Sequence, residues 1–111
     1  MSLPIEIDVR SVKQMLDGGE KFVFLDCREP NEVAAAKIAG TVHIPMREIP
    51  ARLSELEPSK GSRVVVHCHH GGRSLRVTQF LRQQGFDQTQ NMSGGIDAWS
   101  LEVDASVSRY E

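Results

Sequence analysis

The stretch Val64-Val65-Val66-His67-Cys68-His69-His70-Gly71-Gly72-Arg73-Ser74 reads as a buried apolar strand, a cysteine at its end, a glycine-containing loop and the start of a helix. That order places a thiol where backbone N–H groups and a helix N-terminus converge, an electropositive niche that favours anions. A free cysteine titrates at ~8.5, and such niches bring it to ~3.5–7.5. A shift of two units corresponds to roughly 2.7 kcal/mol of preference for the charged form. Free cysteines are commonly buried and inert. Those seldom stand between a triple-valine strand and a glycine loop, so Cys68 is read as a nucleophile.

Outward from this stretch, strand and helix signals alternate. Ile5 to Ile7 alternates like a strand, and Asp8 is an N-cap candidate. Val9, Val12, Met15 and Leu16 follow at helical spacing until Gly18-Gly19. Phe22-Val23-Phe24-Leu25 is a continuous apolar run of the kind covered on both faces of a sheet. Glu29 to Ala36 is helix-prone, and Val42 to Ile44, ahead of Pro45, predicts a brief strand. Ile49, Leu53 and Leu56 predict one face of a helix, with Pro50 in its first turn and Pro58 just past its end. Arg63 to Cys68 is the central strand. Val77, Phe80 and Leu81 mark the inner face of the next helix, which Gly85 ends. Thr89 to Met92 is a last strand, and Ile96 to Glu102 a short helix carrying the only tryptophan, Trp99. Such alternation predicts an α/β domain with a mainly parallel sheet. Ligands of such sheets sit at the carboxyl ends of strands, where Cys68 lies.

The 111 residues suit one compact domain, residues 1–111, with about 104–111 as a C-terminal extension. A hydrophobic share of 40% and a charged share of 25% are ordinary for a globular protein. The net charge of −2 argues against a nucleic-acid or membrane-surface binder. No apolar run approaches the ~20 residues that span a bilayer. Met1-Ser2-Leu3-Pro4-Ile5-Glu6 shows neither a basic nor an apolar leader region, so a cytoplasmic location is expected. Cys27 and Cys68 are too few for a disulfide framework and are expected as thiols.

Three blocks together resemble the single-domain rhodaneses, a sulfurtransferase family. Leu25-Asp26-Cys27-Arg28-Glu29-Pro30-Asn31-Glu32 matches the family's strand-end D-x-R-E-P-x-E element. Cys68-His69-His70-Gly71-Gly72-Arg73-Ser74 matches its active-site loop, and Gly94-Gly95-Ile96-Asp97-Ala98-Trp99 its G-G-x-x-x-W element. The resemblance implies a rhodanese-like fold, a five-stranded, mainly parallel sheet flanked by helices on both faces. It also implies transfer of a sulfane sulfur to a thiol or cyanide through a Cys68 persulfide, by covalent, ping-pong catalysis. Where many relatives have an aromatic residue and then Gly-His-Ile, this chain has Val33 and Ala36-Lys37-Ile38. His69 stands where thiosulfate-using members often carry arginine and mercaptopyruvate-using members a small residue, so the donor is not assigned by analogy.

Within that frame, N–H groups from about His69 to Ser74 are expected to hold the thiolate and the outer persulfide sulfur. Gly71 and Gly72 are expected to supply positive φ and close backbone approach. Arg73 has two readings, a partner for an anionic donor or a brace paired with a carboxylate. Ser74 is read as a helix-start residue bonding locally. His69 and His70 either line the pocket mouth, adding partial positive charge near pH ~6.5, or are solvated loop residues. With no second ligand cluster, and neighbouring strand residues facing opposite ways, no metal is expected at His67, His69 and His70. No cofactor is expected either. Asp26 and Arg28 are read as a structural ion pair near the site, with Glu32 joining, and Cys27 as a packed thiol or, alternatively, a resolving cysteine. Expected partners are a small-molecule or protein sulfur donor and a thiol acceptor, for a monomer or homodimer.

Two rivals remain at this stage. Phosphatases and arsenate reductases of the related Cys-x5-Arg type place arginine six positions after the cysteine, where this chain has Ser74; Arg73 comes one residue early. A non-catalytic binding module on the same fold is the other, although the chain keeps the cysteine and both loop glycines.

Overall fold

The computed structural model describes residues 3–110; Met1, Ser2 and Glu111, and with them part of the leader reading at the N-terminus, lie outside the described residues. Five strands, β1 (Glu6–Ile7), β2 (Val23–Asp26), β3 (Val42–His43), β4 (Val64–His67) and β5 (Thr89–Met92), form one sheet in the order β1-β5-β4-β2-β3. Every pairing is parallel. Among the described residues α1 (Val9–Asp17), α2 (Pro30–Ala35) and α3 (Gly72–Gln83) connect strands, and α4 (Gly95–Glu102) follows β5. The sheet is that of the fold expected from sequence.

Alternation along β4 divides the core between the two sheet faces. Val65 joins Val9, Val12, Met15, Ile96 and Trp99 under α1 and α4. Val64, Val66 and Cys68 join Leu25, Cys27, Val77, Leu81 and Phe86 on the α3 side. Cys68 therefore ends the central strand with its side chain on the α3 face. Asp8 caps α1 as expected, its carboxylate accepting the Ser11 N–H at 2.7 Å.

The segment from Ile49 to Leu56 departs from expectation. It is not one α-helix but part of a run of three 3-10 turns, Met46–Glu48, Leu53–Glu55 and Glu57–Ser59. Pro50 and Pro58 supply no backbone donor, and the short stretch between them offers few bonds to offset the cost of nucleating an α-helix. The tighter i→i+3 bonds, such as Ile49 N–H to Met46 and Leu56 N–H to Leu53, replace the α ladder. The apolar triad still serves the core: Ile49 and Leu56 are buried and Leu53 packs against them.

The C-terminal stretch returns over α4. The Ser100 hydroxyl donates to the Val107 carbonyl at 2.6 Å, and Arg109 pairs with Asp97 at 2.8 Å. Val107 and Tyr110 pack against the α1/α4 core. No helix among the described residues is long and apolar enough to cross a membrane.

Candidate active site

The loop from Cys68 to Gly71 turns the end of β4 into the start of α3. Gly71 sits at φ +109°, a conformation that side chains rarely adopt, and a Cβ there would press on the Gly94 nitrogen at 3.3 Å. The turn aims three donors at one sulfur. The Gly71 N–H lies 3.1 Å from Cys68 Sγ, the Ser74 N–H 3.4 Å and the Ser74 hydroxyl 3.3 Å. Gly72 departs from expectation: it is the first helical residue, without positive φ, and nothing lies within 4 Å of a Cβ built on it. Only the first of the two glycines is required by backbone geometry.

Burial opposes ionisation of Cys68, which is 1% exposed. The Ser74 hydroxyl, the Ser74 and Gly71 N–H groups and the field of Arg73 outweigh it, and hold the thiol below its ordinary value. For Cys27, one residue past β2 on the same sheet face, Arg73 and its own backbone N–H do not outweigh burial. Burial pushes its thiol well up, and its Sγ lies 3.5 Å from the His67 carbonyl. Two cysteines on one face thus differ in kind because of what surrounds each sulfur.

The G-G-x-x-x-W block has a second task beyond packing Trp99. The first N–H groups of α4 grip the active loop, Ile96 donating to the Cys68 carbonyl at 2.9 Å and Asp97 to the His69 carbonyl at 3.1 Å. These are helix-terminal donors that would otherwise lack partners. The grip requires Gly95, because a Cβ there would sit 2.5 Å from the Cys68 carbonyl oxygen.

Of the two readings of Arg73, the structure has the brace. Its guanidinium forks onto Glu32, with Nη1 to Oε1 at 2.6 Å and Nη2 to Oε2 at 2.8 Å. Arg73 and a backbone N–H hold the Glu32 carboxyl at about 2 against the opposing effect of burial. Behind it, Asp26 and Arg28 form a second fork, 2.9 and 2.7 Å, with both side chains fully buried. Arg28 also donates to the carbonyls of Glu32 and Ala36. Tyr110 joins the two forks: its hydroxyl accepts from Arg28 Nη1 at 3.0 Å and donates to Glu32 Oε2 at 2.8 Å.

The histidines go separate ways. His67 turns to the α1/α4 face, where its ring meets Phe24 edge-on at 5.3 Å. Burial pushes it down to about 4, past the opposing pull of Asp26, so it is neutral at pH 7. His69 is stacked on Tyr110 with centroids 4.1 Å apart and meets the tilted ring of His70 at 3.9 Å, and burial lowers it as well. His70 is exposed. Among the described residues no three metal-ligating side chains converge.

Sequence reasoning missed Asn91, Glu6 and Tyr110. Asn91 Oδ1 meets the Ser74 hydroxyl, and Asn91 Nδ2 donates to Glu6 and to the Gly71 carbonyl. The available signal was the polar run Thr89-Gln90-Asn91 in a strand, each residue of which is buried because β5 lies between β1 and β4.

Comparison with known proteins agrees with this geometry. The family model for the Rhodanese-like domain matches residues 8–102. A sulfurtransferase of Allochromatium vinosum is 39% identical over 95 residues, covering 86% of this chain and 87% of that one. Rhodanese-like/PpiC domain-containing protein 12 of Arabidopsis thaliana is 41% identical over 90 residues, 78% of this chain but 29% of its own length. The chain thus spans most of some relatives and under a third of others. The crystal structure of a rhodanese-like domain protein from Staphylococcus aureus superposes with a TM-score of 0.81 at 26% identity, covering 97% of this chain and all of that one. The chain belongs to the rhodanese-like domain family, and its relatives include proteins named as sulfurtransferases.

Proposed function

We propose that the protein is a sulfurtransferase in which Cys68 carries one sulfane sulfur between two substrates. The Cys68 thiolate attacks the outer sulfur of a donor, and the donor's sulfur–sulfur bond breaks with its electron pair leaving on the remnant. That remnant is sulfite from thiosulfate, or a thiolate from a persulfide. An acceptor thiolate or cyanide then attacks the outer sulfur of the Cys68 persulfide, and the bonding pair returns to Sγ as thiolate. Electrons balance without a redox partner.

The observation that carries this reading is the convergence of the Gly71 N–H, the Ser74 N–H and the Ser74 hydroxyl on Sγ at 3.1–3.4 Å. Such preorganised donors favour a charged sulfur without reorganising during reaction. The grip of α4 on the Cys68 and His69 carbonyls supports the same reading, since it holds the loop that carries these donors. The partners proposed are a small-molecule or protein donor and a thiol acceptor, met in the cytoplasm. The phosphatase reading is weaker, because Arg73 is already forked onto Glu32.

Mass spectrometry tests it. After thiosulfate, polysulfide or glutathione persulfide, Cys68 gains one sulfur atom, loses it to cyanide, and gains none in Cys68→Ser. No gain from any of the three donors overturns the proposal and favours a binding module. Hydrolysis of an aryl phosphate, lost in Cys68→Ser, overturns it in favour of a phosphatase.

A further inference from the structure

Ser74 Oγ stands between two acceptors, Cys68 Sγ at 3.3 Å and the closer Oδ1 of Asn91. A hydroxyl carries a single hydrogen and serves one of them at a time. Asn91 lies on β5, nearly fully buried, and both hydrogens of its amide are engaged. One faces the Glu6 carboxylate, 2.9 Å from Oε1 and 3.2 Å from Oε2, and the other the Gly71 carbonyl at 3.2 Å. A flipped amide would set its oxygen against those two acceptors. The nitrogen side is therefore committed, and the oxygen faces Ser74.

We propose that Glu6 and Asn91 are positioning residues for the nucleophile: Glu6 fixes the Asn91 amide, and Asn91 competes with Cys68 for the Ser74 hydroxyl. This rests on reading Cys68 as the nucleophile. In the thiol state the hydroxyl donates to Asn91, and its oxygen is open to the S–H. On ionisation the hydroxyl turns to Sγ. When negative charge moves to the outer sulfur of a persulfide, the hydroxyl returns to Asn91. No bond is made or broken in this swing; one hydrogen bond is exchanged for another.

The other titratable or charged groups around the sulfur are Arg73 from α3, with Glu32 from α2 paired to it, Cys27 beyond β2, and His69 and His70 in the loop. All are kept in the test. Glu6→Gln is neutral, of the same shape and at an exposed position. Its carbonyl oxygen still accepts from Asn91 Nδ2 but, being uncharged, polarises the Asn91 amide less, so Oδ1 becomes a weaker acceptor. The serine hydrogen is then more available to the sulfur.

The readout is the pH midpoint of iodoacetamide alkylation at Cys68, followed on its peptide by mass spectrometry. In Glu6→Gln the midpoint falls, and alkylation below the wild-type midpoint rises about two- to tenfold, the range one hydrogen bond supports. In Ser74→Ala the midpoint rises, and Glu6→Gln/Ser74→Ala matches Ser74→Ala. An unchanged midpoint in Glu6→Gln overturns the proposal. So does a fall that persists in the double variant, which makes Glu6 merely a distant negative charge. Alkylation needs no sulfur donor, so a failure to form persulfide counts against the proposed function and not against this device.

Discussion

Gly95 has no side chain because the carbonyl oxygen of Cys68 occupies the space where one would begin, 2.5 Å from the position of a Cβ. The contact is with backbone, which has little room to yield. Gly95→Ala therefore loosens the α4 grip on the loop, and destabilises the fold by about 1–3 kcal/mol. Gly72→Ala is the contrasting case, since its Cβ meets open space at the first position of α3. It is expected to change stability by under ~1 kcal/mol and in the favourable direction. Urea unfolding of both variants checks the contrast, and equal losses would show that the clearance at Gly95 is irrelevant.

Arg73→Lys is not a conservative change here. Lysine brings one point charge where the guanidinium makes two parallel bonds to Glu32. Because Arg73 is a third exposed, screening limits the cost to about 1 kcal/mol. The larger effect is on the thiol, whose ionised form Arg73 favours. The alkylation midpoint of Cys68 should rise and cyanide-dependent sulfur transfer should slow, both measurable on the purified variant.

His67 sets the acid limb of stability. Its folded value of about 4 lies below the ordinary 6.5, so the unfolded chain binds more protons between those values. Stability is then complete above pH 6.5 and falls as pH drops toward 4, by about 3 kcal/mol. His69, lowered as well, adds a smaller slope of the same sign. Glu32 acts later: its contribution is present above the ordinary 4.5 and is lost as pH falls through about 2. Urea midpoints at pH 7, 5.5 and 4.5 should fall in the native protein and flatten over that window in His67→Phe.

Thiosulfate is expected to be a poorer donor than glutathione persulfide or polysulfides. The residue after Cys68 is a histidine kept toward neutrality by burial, and Arg73 already has an anionic partner. A compact dianion therefore meets little free positive charge at the loop. A higher kcat/KM for thiosulfate than for both persulfide-type donors would refute this.

Most of the scaffold could be read from residues alone. Val64 to Val66 is wholly buried, Asp8 caps α1, and strand ends agree within a residue or so, because apolar runs and caps are local signals. The 49–56 segment differs because apolar spacing alone does not distinguish one α-helix from successive 3-10 turns. At the site, Cys68 and Gly71 were legible from loop order, whereas the Ser74 hydroxyl, read as a local helix-start contact, faces Sγ and Asn91 instead. Asn91, Glu6 and Tyr110 were not: they reach the loop from strands or segments far along the chain. A buried asparagine looks like a surface residue until the strand order is known.

Strand β1 has a single neighbour in the sheet, β5, which is made some eighty residues after it on the ribosome. Contacts of such long range form late, after loop closure has been overcome. Until β5 and α4 dock, Gly71 lacks its anchor at Asn91 and the loop its hold at Gly95, so the donors that favour the Cys68 thiolate are not yet held in place. Reactivity at Cys68 therefore depends on the docking of β5 and α4 onto the loop, and not on β4 and α3 alone.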